Sequence, residues 1–201
     1  MQWPLMCCLA AALLASGCTT RKESSPPRTA DEQLLIATAA ERSAAQITLP
    51  IPPGSNVYVD ASNFEGVDAK HAIAAIRARL LELGGRLVPD RAGADIIVEI
   101  SAAALSTDED GMLVGLPSMS LPVPLSPTPT TTPEIALLKR QEKLGVAKLV
   151  ATSYGVRAGI IPLTTDSKLG YAYQHRWVAL LFISWSHDDF LPPGPDDDSL
   201  P

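Results

Sequence analysis

Cysteine is missing from almost the whole chain. The cysteines are Cys7, Cys8 and Cys18, and none follows in a sequence of 201 residues. The body of the protein therefore has no disulfide framework, no Cys-ligated metal site and no cysteine nucleophile. Hydrophobic residues make up 46% of the chain and charged residues 19%. This is enough apolar material for one globular domain and too much for a disordered chain.

The sequence also lacks the motifs of common catalytic sites. It has no glycine-rich phosphate loop, no His-Glu-x-x-His helix and no Gly-x-Ser-x-Gly elbow. Residues 106–111 begin like a calcium loop, but Pro117 stands where the bidentate glutamate is needed. We therefore predict a protein that is not an enzyme, with no metal and no small-molecule cofactor.

Positive charge is scarce towards the C-terminus. No Lys or Arg occurs from residue 186 onwards, and the acids there account for most of the net charge of −6: Asp188, Asp189, Asp196, Asp197 and Asp198. We predict a disordered acidic tail over residues 188–201. The remaining chain is nearly neutral, which argues against a nucleic-acid partner.

Long hydrophobic runs are absent as well. A membrane-spanning helix needs about 20 apolar residues, and the longest runs, residues 5–15 and 177–185, are much shorter. Residues 177–185 are typical of a buried strand. Residues 5–15, followed by Ser16, Gly17 and Cys18, have the proportions of a signal-peptide core.

Residues 14–18, Leu-Ala-Ser-Gly-Cys, resemble the lipobox of bacterial lipoproteins. The resemblance implies cleavage between Gly17 and Cys18, with the Cys18 thiol taking up a lipid, and Thr19 implies retention at the outer membrane, facing the periplasm. The alternatives are an ordinary signal peptide with an incidental cysteine, or a misplaced start. We predict a signal peptide (1–17), a flexible lipid-anchored tether (18–28) and a single α/β domain (29–187).

The domain is predicted to be a two-layer α/β (α+β) sandwich, a mixed sheet of about 4–5 strands with two main helices. Thr29 and Glu32 have capping-box spacing at the start of a helix that runs to about residue 47, and a second helix spans about 67–83. Strands are predicted at 56–61, 86–88, 95–101 and 177–185, and the run Ile96, Ile97, Val98 indicates a central strand.

Prolines and hydroxyl residues change the pattern after residue 104. We predict that residues 105–133 are an extended loop or at most an edge strand, since proline cannot donate to a ladder. The proline-rich loop 116–133 is a candidate contact segment, or merely a spacer. Residues 134–154 favour a β-hairpin turning near 142–145, although Thr132-Pro133-Glu134 is also a fair helix start.

One cluster of residues could carry chemistry. Asp60, Asp68 and His71 lie around a strand-to-helix turn, together with Glu65, where α/β folds often place functional groups. Two carboxylates and a histidine could act as acid and base or hold a cation. The alternative is structural, with Asp68 capping the helix and His71 facing solvent. The sequence His187-Asp188-Asp189, beside Ser184 and Ser186, has triad residue types without the triad's arrangement across a fold.

Several short motifs together resemble an uncharacterised family of bacterial lipoproteins that carries a domain of unknown function. They are TADEQLL (29–35), VYVD (57–60), ADIIVE (94–99), ALSTD (104–108), GLPS (115–118) and PEIAL (133–137), behind Cys18. The resemblance brings no activity, cofactor or catalytic residue. The order of elements is distantly similar to curli-secretion lipoproteins and lipoprotein activators of cell-wall synthases, which bind other proteins.

We therefore expect a membrane-anchored envelope lipoprotein that is not catalytic and that binds an envelope protein partner or supports envelope structure. The alternative is a periplasmic hydrolase or metal-dependent enzyme that uses Asp60, Asp68 and His71.

Overall fold

Two helices lie against a six-stranded mixed sheet in the computed structural model, which describes residues 28–121, 130–156 and 162–190. A short two-stranded antiparallel sheet and a 3-10 turn (Arg91–Gly93) accompany them. In chain order the elements are α1 (Ala30–Ala45), β1 (Asn56–Asp60), α2 (Ala69–Glu82), β2 (Arg86–Leu87), β3 (Ile96–Leu116), β4 (Ser120–Leu121), β5 (Thr130–Thr131), β6 (Ile135–Gly155), β7 (Thr164–Ala179) and β8 (Ile183–Asp188).

The strand order is β2-β1-β3-β6-β7-β8. β1 is parallel to β2 and β3, whereas β3, β6, β7 and β8 form an antiparallel set. Both helices contribute to one core with β1, β3 and β6, in which Ile76 and Leu80 of α2 join Ile96 and Val98 of β3. The predicted mixed α/β class is confirmed, with six strands in the sheet where 4–5 were expected.

The start of α1 follows the predicted capping box. Thr29 Oγ1 accepts a hydrogen bond from the N–H of Glu32 (3.3 Å), and Glu32 Oε2 accepts one from the N–H of Thr29 (2.8 Å). Two backbone donors that the helix leaves unpaired are satisfied in this way. The predicted central strand is also confirmed, because β3 lies between β1 and β6, and Ile96, Ile97 and Val98 are buried.

The hairpin predicted over residues 134–154 is wrong, and the loop predicted from residue 105 begins only after Leu116. Residues 105–116 are the part of β3 that pairs with β6 and not with β1, which agrees with the edge-strand alternative. β3 continues to Leu116, and β6 is one uninterrupted strand of 21 residues that pairs with it almost throughout. The supposed turn at 142–145 contains Gly145, which the sequence pattern suggests as a breaker. In the fold this glycine lets α1 approach the strand: a Cβ there would lie 2.5 Å from the carbonyl oxygen of Leu35.

The run at residues 177–185 is also not one buried strand. β7 ends at Ala179, residues 180–182 form a turn, and β8 begins at Ile183. Much of this segment is exposed, with Phe182 at 80% and Trp185 at 49%. The hydrophobicity of a segment indicates contact with apolar material, but that material can be the protein's own core or an external surface.

Several predicted features lie outside the described residues. These are Gly17, Cys18 and nearly all of the tether, residues 122–129 of the proline-rich loop, and residues 191–201 of the acidic tail. Asp189, placed in the tail by the sequence, ion-pairs with Arg42 of α1. No helix among the described residues is long and apolar enough to cross a membrane.

Candidate functional site

One end of the sheet extends past the helices and carries exposed apolar side chains. It consists of the last residues of β3 (114–116), the first of β6 (135–138) and the β7–β8 connection (179–183), which we call the distal end. Phe182 is 80% exposed and Leu116 59%. Such an accumulation of exposed apolar groups marks a surface made for contact.

The helix layer stops short of the distal end. α1 begins at Ala30, and the Asp31 carboxylate in its first turn lies 3.8 Å from the guanidinium of Arg176 on β7. From there α1 runs away from the distal end, since Leu35 lies against Gly145 and Ser43 bonds to Lys168. The distal end itself contains no charged residue.

A row of larger side chains borders the distal end. Met112, Arg140, Trp177 and Trp185 pair in register across β3, β6, β7 and β8. The rings of Trp177 and Trp185 are stacked, with centroids 6.2 Å apart and planes inclined by 6°, and the Arg140 guanidinium lies 5.3 Å from the Trp177 ring centroid. Aromatic stacking and a cation–π contact therefore order this boundary row.

The charges nearest the distal end occur in neutralising pairs. Arg140 ion-pairs with Glu142, and Lys139 Nζ lies 2.8 Å from Glu134 Oε1. Glu134 directly precedes β6, on the far side of residues 135–138 from the boundary row, and its carboxylate is paired with Lys139. An apolar tip thus meets a boundary of indole rings and paired charges.

The turn at the distal end has an unusual backbone. Leu180 and Leu181 have φ values of 49° and 72°, in the left-handed region that favours glycine or asparagine. Their N–H groups donate to the carbonyl oxygens of Leu137 (2.9 Å) and Ala136 (3.1 Å), which fixes the turn against β6. Leucine here is strained, and such strain concentrates at functional positions.

Asp60, Asp68 and His71, the candidates from sequence, pair with three different residues. Asp68 occupies the N-cap position of α2 without capping it, because its carboxylate accepts a hydrogen bond from Arg28 (2.6 Å). His71 faces solvent, with Nε2 3.0 Å from Glu41 Oε1. The three candidate side chains are thus paired with other residues and not with one another.

Asp60 has different neighbours from those expected. Hydrogen bonds from Ser62 hold the pKa of the Asp60 carboxyl below its ordinary value, and Arg91 lies 3.9 Å away. Asp60 pairs in register with Glu99, which accepts a hydrogen bond from the Tyr154 hydroxyl (2.6 Å) and thereby raises the pKa of Tyr154. Across the described ranges no group of three or more His, Cys, Asp or Glu residues could hold a metal ion.

The remaining sequence candidates lie along strands. Residues 106–111 belong to β3, and Ser184, Ser186 and His187 follow one another on β8, while Asp189 binds Arg42. The distal end was not predicted from the sequence, although two stretches without charged residues indicate it. Residues 111–133 and 177–186 contain no Asp, Glu, Lys, Arg or His, and these two stretches flank or form the distal end.

The fold and this surface define a mixed α/β domain whose antiparallel strands extend past its core. The chain belongs to DUF6655, a family of unknown function, which it matches over residues 10–167. No curated protein matches the chain. The expected membership of an uncharacterised family is therefore confirmed, and the family assigns no activity.

Proposed function

We propose that this protein is a non-catalytic lipoprotein of the bacterial envelope, anchored through a lipid on Cys18 and acting by contact through its distal end. The observation that carries the proposal is the exposed apolar surface at residues 114–116, 135–138 and 179–183. A chain that keeps such a surface exposed has a use for it in binding. We place the protein at the outer membrane, facing the periplasm.

The sequence between Cys18 and the domain supports anchoring. The family match begins at residue 10 and so includes Cys18. Residues 19–28 are polar and contain two prolines, and an extended chain of this length reaches about 30–35 Å. A domain on such a tether can contact the membrane that carries it, or a protein in that membrane.

Contact is favoured over catalysis by the pairing of the candidate residues. Arg28 neutralises Asp68, Glu41 holds His71, and Asp60 is bonded to Ser62. General acid–base catalysis needs its groups to converge on one substrate. The distant similarity to curli-secretion lipoproteins and cell-wall-synthase activators fits a role in binding.

The anchor is tested by labelling cells with a palmitate analogue. Wild type is compared with Cys18→Ser, and Cys7→Ser and Cys8→Ser are matched controls within the predicted signal peptide. Label in wild type and in both controls, with none in Cys18→Ser, is the expected result. Equal label in all four would sink the lipoprotein proposal.

A further inference from the structure

We propose that the distal end inserts into the surface layer of a lipid membrane, with Trp177 and Trp185 at the level of the headgroups. The inference deepens the proposed function, because it names lipid as the material that the distal end contacts. Five features of the described residues carry it.

The exposed apolar groups surround the tip of the sheet. Residues 180–183 are consecutive, and each is 47% to 80% exposed. Consecutive side chains project in different directions, so a flat protein surface would cover only some of them. Lipid chains, which are fluid, can surround all of them.

The dimensions of the distal end match a shallow insertion. A strand advances about 3.3 Å per residue, so the turn at Leu181 lies about 10–13 Å beyond Trp177 along the sheet. Interfacial elements bury apolar groups about 5–10 Å into the boundary between headgroups and acyl chains. Hydrogen bonds from Leu180 and Leu181 to β6 satisfy two backbone donors of the turn, as an apolar surrounding requires.

The boundary row has the composition of a membrane interface. Tryptophan is enriched at that level because one part of its ring system is apolar and its N–H is polar. Trp177 and Trp185 are stacked side by side there, and Arg140 lies over Trp177. Arg140 of this row is paired with Glu142, and Glu134, which precedes β6 on the distal side of the row, is paired with Lys139, so the nearest charges would meet lipid as neutralised pairs.

The presence of leucine at the strained turn favours an apolar surrounding. Asparagine or glycine would adopt the φ values of positions 180 and 181 with less strain. Leucine at both positions lowers the stability of the free domain and adds exposed apolar area at the β7–β8 turn.

The first helix starts on the same side of the domain. α1 starts beside Arg176, the residue before Trp177, and runs away from the distal end. The described part of the chain therefore begins near the boundary row. A lipid on Cys18 and the distal end can reach one membrane together.

The test uses single labels, for which the cysteine-free body is suited. In the full chain, Phe182→Cys at the distal end and Glu82→Cys at the last residue of α2, whose side chain is 66% exposed, are each labelled with the fluorophore NBD. The proteins are reconstituted into vesicles of phosphatidylethanolamine and phosphatidylglycerol that contain nitroxide lipids. We expect severalfold stronger quenching at position 182 than at position 82, and mass spectrometry counts the labels and the lipid on Cys18.

Each other outcome has a defined meaning. Protein that floats with the vesicles while the label at 182 remains unquenched overturns insertion and leaves the anchor standing. Quenching at 182 with Cys18 unmodified overturns the anchor alone, and protein that does not float overturns both. If the label at 182 is unquenched and a photocrosslinker at 182 captures a protein or a second copy in cells, lipid is not the occupant of the distal end. The crosslinked protein is then its partner.

Discussion

Gly145 lies directly against the backbone of Leu35. A Cβ on Gly145 would lie 2.5 Å from the Leu35 carbonyl oxygen and 2.6 Å from its carbonyl carbon, closer than real contacts allow. α1 therefore rests on β6 at a point where no side chain fits between them. This contact fixes α1 against the middle of β6, with the first turn of the helix towards the distal end.

Replacement of Gly145 tests that contact. We expect Gly145→Ala to lower the free energy of unfolding by about 1–3 kcal/mol, because α1 must shift away from β6. Gly111→Ala is the control, since a Cβ there would meet only the Arg140 carbonyl oxygen at 3.9 Å. Urea unfolding followed by tryptophan fluorescence measures both, and equal midpoints for the two variants would contradict the prediction.

Ser43 bridges two strands from the helix. Its buried hydroxyl donates to the carbonyl oxygen of Lys168 on β7 (2.8 Å) and accepts from the N–H of Leu149 on β6 (3.3 Å). We expect Ser43→Ala to cost about 1–3 kcal/mol of stability, since buried backbone groups lose a partner. Ser167→Ala, at an exposed position of β7, should leave the unfolding midpoint within error, and a Ser43→Ala midpoint equal to it would refute the role.

The capping box makes stability depend on pH. The N–H of Thr29 donates to Glu32 and holds the pKa of that carboxyl below its ordinary value of 4.5. Because the folded pKa is depressed, this contribution is complete above pH 4.5 and is lost as the pH falls through the folded value.

Two substitutions separate the halves of the capping box. Glu32→Gln should destabilise the domain at neutral pH and become equal to wild type in acid. Thr29→Ala should cost about 1 kcal/mol at neutral pH and persist in acid, because a hydroxyl does not titrate there. Unfolding curves at both pH values measure this; a Glu32→Gln deficit that persists in acid would contradict the assignment.

The strained turn predicts opposite effects on stability and on binding. Leu181→Gly should stabilise the free protein by about 1 kcal/mol, because glycine adopts a positive φ without the Cβ clash. The same change should weaken quenching at position 182 by nitroxide lipids. Val178→Gly, within β7 and without positive φ, should instead destabilise the protein. A Leu181→Gly variant that is less stable than wild type would contradict the strain.

The helix start, the second helix and the central strand could be predicted from local sequence. Thr29 and Glu32 have the spacing that a cap needs, and Ile96 to Val98 have the β-branching of a buried strand. These signals arise within a few residues, so no distant partner has to be known.

The length of the strands could not be predicted in the same way. Residues 106–111 are polar and acidic and are typical of a loop, yet they pair with β6, where Lys143 lies 3.8 Å from Glu109. Gly145 suggests a turn because its close neighbour, Leu35, is far away in sequence. The hydrophobicity of residues 177–185 indicates contact with apolar material, but cannot tell a core from an external surface.

The direction of α1 affects how tightly the distal end must bind. Because α1 starts near the boundary row, a lipid on Cys18 would hold the distal end at about a millimolar effective concentration beside the membrane. An affinity for lipid that is too weak to recruit the free domain from solution would then be enough to keep the distal end of the anchored domain inserted most of the time. With such an anchor, the domain would need only a modest apolar tip to hold a fixed orientation at the membrane.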